Sequence, residues 1–265
     1  MAPETLPETT LTMIVRDEVM NPAGGLRAVL MKQMPYFSEV VVLDTGSVDG
    51  TRQLLEHLAG EYPQLRVYDA EFKGYASART TANEYVRTKY TLMLDADERV
   101  EDYASLLEQM REVNQNDQKG INFGFQEIYL CGKTLGGMGW NPRLLRKDLV
   151  RFGTGELWES LDYTIISRYP IRRAVAPIRH FRYSRYQSSV DRKYGEWYGL
   201  FSDRIRYKTP PSKIPGFETW KTPSPAILAK YGVDVQAEIE ELRRIGITVL
   251  PKIEERIAQM ARCML

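Results

Sequence analysis

The chain has 265 residues, 43% of them hydrophobic and 27% charged, which suits a large globular domain and excludes wholesale disorder. No apolar run approaches the ~20 residues that a membrane-spanning helix needs. The net charge of +1 hides an asymmetry: residues 165–208 hold 11 Lys/Arg against 3 Asp/Glu, and the tail from 209 holds 8 against 7, which leaves −8 on residues 1–164.

The opening MAPETLPETT has no basic or apolar signal region and reads as a flexible leader over residues 1–10. Leu11–Val15 is predicted as a short buried strand. Gly24–Met34 has helical spacing and is stopped by Pro35. A β-branched strand, Glu39–Asp44, leads through a Gly/Ser/Asp turn into an amphipathic helix over Asp49–Gly60. A third strand is read at Leu65–Phe72, a third helix at Tyr75–Lys89, and a fourth strand opens at Tyr90. Strands alternating with helices of this length indicate βαβ units and a parallel sheet. Another helix runs from about Asp102 to Asn114. The glycine-punctuated segment over 120–152 then reads as antiparallel strands and loops. Residues 187–208 are helical and basic, Lys208–Ala226 is rich in proline, and helices close the chain with Pro251 at a start or kink. Cys131 and Cys263 lie far apart without CxxC spacing, so neither a disulfide framework nor a zinc site is expected, and the compartment expected is the cytoplasm.

Two strands end in acids. Asp44 closes EVVVLD, and YTLMLDADE delivers Asp95, Asp97 and Glu98. In an open parallel sheet such strand ends are where ligands bind. Asp49 or Ser47 is expected to cap the following helix, which leaves the second group of acids unexplained. Carboxylates crowded this closely repel one another, and a hard divalent cation, Mg²⁺ or Mn²⁺, relieves that crowding. If strand geometry persists, Asp95 and Asp97 share a side, and the small Ala96 between them lets a nucleotide approach.

TMIVRDE, VVVLDTGSVDGT, YASAR and LMLDADE, in this order and spacing, resemble the N-terminal half of family 2 glycosyltransferases of the GT-A fold over residues 11–100. Arg143–Leu161 is similar, more loosely, to the acceptor-side segment of that family. The resemblance implies an α/β fold: a Rossmann-like, mostly parallel sheet flanked by helices, with an added mixed or antiparallel acceptor-side portion and C-terminal helices. The implied parts are a nucleotide-sugar-binding unit at 11–115, an acceptor side of the same domain at 116–208, and a proline-rich loop with helical extension at 209–265. It further implies a nucleotide-diphosphate-sugar donor, with a UDP-sugar favoured by family habit, a divalent metal, and inversion at the anomeric carbon. By position, Ile14, Val15 and Arg16 line the base pocket, Asp44 hydrogen-bonds the base and Arg79 reaches the nucleotide. Asp95 and Ala96 lie by the ribose, and Asp97 ligates the metal. Where family members carry His-Glu, this chain has Trp158-Glu159.

Sugar transfer needs a stabilised diphosphate and an acceptor hydroxyl relieved of its proton by a base. Glu156, Glu159 and Asp162 are the candidates for the base, with Glu159 first on the family match and Glu156 second. His57 sits in an ordinary amphipathic helix. His180, among Arg179, Arg182, Arg185 and Lys193, is a candidate for the metal or diphosphate. Trp140, Trp158, Trp197 and Tyr198 suit stacking on sugar faces, although for any single one core packing is the better explanation. The acceptor is left open between a glycan, a lipid-linked saccharide and a protein, without nucleic acid. The basic segment allows contact with anionic lipid headgroups, and the closing helices leave a homodimer open. A sugar-phosphate nucleotidyltransferase and a non-catalytic binding protein are the rival readings. The first is disfavoured by VRDEVMNP, which lacks a glycine-rich phosphate loop.

Overall fold

The computed structural model describes residues 3–19, 21, 23–114, 122–129, 140–153, 161–181, 229, 232 and 234–247. Four parallel strands, β1 (Thr9–Val15), β2 (Glu39–Asp44), β3 (Leu65–Asp69) and β4 (Tyr90–Asp95), lie in the order β3-β2-β1-β4. Helices α1 (Leu26–Gln33), α2 (Thr51–Glu61) and α3 (Tyr75–Glu84) follow the first three strands. Next come β5 (Glu98–Val100), α4 (Tyr103–Asn114), β6 (Phe123–Tyr129), β7 (Trp140–Arg146), α5 (Tyr163–Ile166), β8 (Arg172–Arg173), β9 (Ile178–His180) and α6 (Val235–Arg244).

β2 is buried at all six positions because helices cover a parallel sheet on both faces, which is why its sequence is a continuous apolar run. Side-chain alternation divides the work on β4. Leu92 and Leu94 join the main core with Leu11, Met13, Val40, Val42, Phe123 and Phe125. Met93 points the other way, into a smaller cluster with Leu145, Val150, Leu161 and Ile166. That cluster fastens the segment running from β7 to α5 onto β4. The backbone agrees, because β7 pairs antiparallel with β4, and β6 antiparallel with β7. β8 and β9 run parallel to β6, and β5 closes the path antiparallel to β9. The α/β fold with its mixed addition is the one the sequence led us to expect.

Several boundaries differ from expectation. The chain is already packed before residue 10: Leu6 is buried, its N–H donates to the Tyr36 carbonyl at 2.8 Å, and β1 starts at Thr9. Residues 6–10 are therefore part of the folded body and not a flexible leader. α1 ends at Gln33 and gives way to a 3₁₀ turn, Met34–Tyr36, at Pro35. α3 stops at Glu84 and β3 at Asp69, short of the Lys89 and Phe72 ends predicted for them. The basic 182–208 segment and the proline-rich loop lie outside the described residues.

Candidate functional site

The four parallel strands present their carboxyl ends along one rim. Register sets the row: Asp69 faces Asp44, Asp44 faces Val15, and Ile14 faces Asp95. Asp44 and Asp95 thus sit on the same edge, separated by one strand, or about 10 Å at the usual strand spacing. The strand order reverses between β1 and β4, so the rim carries the topological switch point at which ligands of such sheets bind. α1, α2 and α3 begin from this rim with glycine at the N-cap, and their N-terminal dipoles add positive potential there.

Asp44 is almost fully buried. Its Oδ1 accepts from the N–H groups of Gly46 at 2.8 Å and Ser47 at 2.7 Å, while Oδ2 is buried and has no hydrogen-bond partner among the described residues. One oxygen therefore builds the turn. Gly46 takes φ +100°, and an added methyl would meet nothing within 4 Å. Gly46→Ala is expected to cost about 1–2 kcal/mol through backbone strain alone, read as a shift of the denaturation midpoint. An unchanged midpoint would mean that the turn relaxes to negative φ.

Asp49 has a different job. It accepts from the N–H of Val19 at 3.2 Å and of Thr51 at 3.0 Å, so it ties the loop after β1 to the first residue of α2. Burial, offset in part by the Thr51 hydrogen bonds, pushes its carboxyl up. The helix N-cap itself is Gly50, and Ser47 donates no cap; its Oγ accepts from the Asp17 N–H at 2.9 Å.

β4 ends at Asp95, and a turn at Ala96–Asp97 intervenes before β5. Asp95 and Asp97 are therefore brought together by a turn and not by a continuing strand. Ligand atoms of Asp95, Asp97 and His180 all lie within 4.8 Å of one another. Asp97 is buried and Asp95 half-buried. His180 arrives because β9 pairs with β5, which sets Glu98 opposite His180, and because the Phe181 N–H donates to the Asp97 carbonyl at 3.0 Å. Two carboxylates and an imidazole form a donor set suited to Mn²⁺ or Mg²⁺, and two acids this close with so little water are tolerable only beside positive charge.

Arg79 is turned inward. It is buried, pairs with Asp95 and donates to the Leu94 carbonyl at 3.3 Å. Burial pushes the Asp95 carboxyl up, and Arg79, joined by Arg143 and His180, outweighs that and holds it below the ordinary range despite Asp97. Ala96 is buried, and its carbonyl accepts from Asn21 Nδ2 at 2.6 Å, so loop β1–α1 holds the turn in place. Val15 is buried, while Ile14 and Arg16 are half-buried at the rim, with the Arg16 guanidinium 5.9 Å from the Phe72 ring. His57 lies away from the rim on α2, 3.3 Å from Glu61. Trp140 is 39% exposed, with Arg173 over its ring at 5.2 Å. Asp162 starts α5, accepting from the Thr164 N–H at 2.9 Å. Glu156, Trp158, Glu159, Arg182, Arg185, Lys193, Trp197 and Tyr198 lie outside the described residues.

Sequence reasoning missed Arg143 and gave Glu98 no role. Arg143 lies 2.6 Å from Glu98, and no local pattern marks it, because β7 pairing places it there. Among the described residues no helix is long and apolar enough to cross a membrane.

Two solved structures share this architecture. GalNAc-T7, crystallised with UDP, GalNAc and Mn²⁺, is 14% identical with a TM-score of 0.50, over 65% of this chain and 43% of its own. Staphylococcus aureus TarS is 13% identical with a TM-score of 0.50, over 80% of this chain and 47% of its own. The chain thus spans less than half the length of either, and at such identity the likeness is one of fold, the GT-A arrangement. The family model for glycosyl transferase family 2 matches residues 26–192, more than half of the sequence, and the chain belongs to that family.

Proposed function

We propose that the protein transfers a sugar with inversion from a nucleoside-diphosphate donor, a UDP-sugar, to an acceptor hydroxyl. The observation that carries this is the meeting of Asp95, Asp97 and His180 on the rim that also holds the Oδ2 of Asp44, which has no hydrogen-bond partner among the described residues. Asp44 accepts a hydrogen bond from the base, and Ile14, Val15 and Arg16 form the adjoining wall. Arg79 acts through Asp95, fixing that carboxylate beside the ribose with Ala96 behind it. Asp97 and His180 hold Mn²⁺ or Mg²⁺, with Asp95 alongside. The cation supplies Lewis-acid stabilisation of the diphosphate leaving group. Glu159, or failing it Glu156, takes the proton of the acceptor hydroxyl as general base. The presence of UDP and Mn²⁺ in the GalNAc-T7 crystal supports the choice of nucleotide and ion. The acceptor is a glycan, lipid-linked saccharide or protein, and the location the cytoplasm, with the basic segment free to meet anionic headgroups.

Thermal melting with UDP and Mn²⁺, separately and together, tests the reading. At roughly 100 times the dissociation constant, ligand linkage of about 2.7 kcal/mol raises the melting temperature by about 5–10 °C for a chain of this size. Mn²⁺ alone is expected to raise the melting temperature by less, and the full rise is expected when both are present. No shift with any nucleoside diphosphate would defeat the proposal.

A further inference from the structure

β7 and β8 carry an exposed pair that the donor site does not use. Trp140, the first residue of β7, is 39% exposed even with the Arg173 guanidinium 5.2 Å from its ring centre. Arg173 is itself exposed and pairs with no acid among the described residues. Strand alternation fixes the face on which the pair stands. Phe123 and Phe125 enter the main core, so Gly124 and Gln126 point to the opposite side, and register sets Gln126 against Trp140 and Gly124 against Arg173. Ile171 lies over Gly124 on that side. On β4, Leu92 and Leu94 enter the main core, while Met93 and Asp95 take the opposite side, where Asp95 meets Arg79. Trp140, Gln126, Arg173 and Asp95 therefore share one face of the sheet. β7 is antiparallel to β4 and β6 antiparallel to β7, so β7 starts from the rim where β4 delivers Asp95 and β6 runs toward it. Trp140 and Gln126 stand near that rim, and the backbone of Arg173, level with Gly124, is set further back.

We infer that this face is the acceptor subsite and that it takes a saccharide with an acidic substituent, a uronate or a sugar phosphate. Its role as an acceptor subsite rests on the transfer reading above. The C–H face of a pyranose is apolar and lies against an indole as other apolar surfaces do. Gln126, exposed and opposite the ring, supplies an amide that both donates and accepts. Arg173 offers a guanidinium fork to a carboxylate or phosphate. Charge orients the ligand: the acids at the rim repel its anionic group, and Arg173 draws that group away from the rim. The far edge of the sugar, with its hydroxyls, then points toward the site of transfer. A surface tryptophan that merely packed beneath an arginine would not distinguish acidic from neutral sugars.

Saturation-transfer NMR on the full chain with methyl β-glucuronide, glucose 6-phosphate and methyl β-glucoside tests the inference. The tighter of the two acidic probes is expected to bind about five-fold more tightly than the glucoside, and which of them it is identifies the anion as carboxylate or phosphate. Arg173→Gln is expected to erase that preference. Trp140→Ala is expected to weaken all three probes by about ten-fold, and Trp140→Phe to keep most of the affinity. Both positions are exposed, so the variants are expected to melt as the wild type does. Equal binding of acidic and neutral probes by the wild type, or a preference that survives Arg173→Gln, overturns the inference. So does full affinity in Trp140→Ala. The melting rise with UDP and Mn²⁺ is read on the same proteins and is expected to be unchanged by these substitutions. If that rise is present and the acidic preference is missing, this inference alone fails. If the preference is present and no nucleoside diphosphate gives a rise, the transfer reading fails and the face remains a sugar-binding surface without an acceptor role.

Discussion

Asp97→Asn is expected to lower sugar transfer by about a thousand-fold while leaving the metal-free protein at least as stable as the wild type. Asp97 is 1% exposed and shares its small space with Asp95 and Glu98. Without a cation that crowding is unfavourable, so removing one of the charges relieves repulsion and keeps the shape. The functional loss has the opposite sign. A cation at a developing diphosphate contributes several kcal/mol to the transition state. At about 1.36 kcal/mol per tenfold, losing a carboxylate proposed to hold it amounts to about 10³ in rate. Initial rates with a UDP-sugar and Mn²⁺, together with melting curves with and without Mn²⁺, separate the two effects. The variant is expected to melt no lower than wild type in buffer and to lose the stabilisation that Mn²⁺ brings. Turnover within tenfold of wild type would remove Asp97 from the reaction.

This opposition between stability and function explains why the first half of the site was legible. A run of acids after a buried strand conflicts with local physical rules, and such conflicts gather at functional sites. EVVVLD could be bounded to the residue because burial on both faces demands an unbroken apolar run. The second half follows a different logic. His180 meets Asp97 and Glu98 only through the antiparallel pairing of β9 with β5, and Arg143 reaches Glu98 from 45 positions away through the pairing of β7 with β4. Register between distant strands leaves no mark in any short window. His180 could be singled out by the chemistry of imidazole, whereas an arginine among 36 basic residues could not. The turn at Ala96–Asp97 was hidden for a related reason. Alternation describes residues inside a strand and says nothing about where the strand stops. Leu6 and the start of β1 were masked by a polar leader sequence, since two threonines paired within a sheet read like a linker.

Leu242→Ala is expected to destabilise the protein by about 2–5 kcal/mol, the cost of removing a fully buried leucine side chain and leaving a cavity. Leu242, Ile239 and Ile247 all belong to the main core, so α6 spends its apolar face on the body of the domain. Arg27 on α1 fastens it with contacts to Glu238 at 3.0 Å and Glu241 at 3.2 Å, and Lys32 donates to the Gly232 carbonyl at 2.7 Å. Such part-exposed ion pairs contribute little on their own, and the stabilisation resides in the leucine and isoleucines. The control is Glu240→Ala on the exposed side of the same helix, expected to change stability by less than about 0.5 kcal/mol. Denaturant unfolding at two protein concentrations discriminates this packing from a dimer made through the closing helices. If α6 belonged to a dimer interface, Leu242→Ala would weaken association and its midpoint would move with concentration. Packing within one chain predicts a loss that is the same at both concentrations, because the leucine leaves its own core and no partner's.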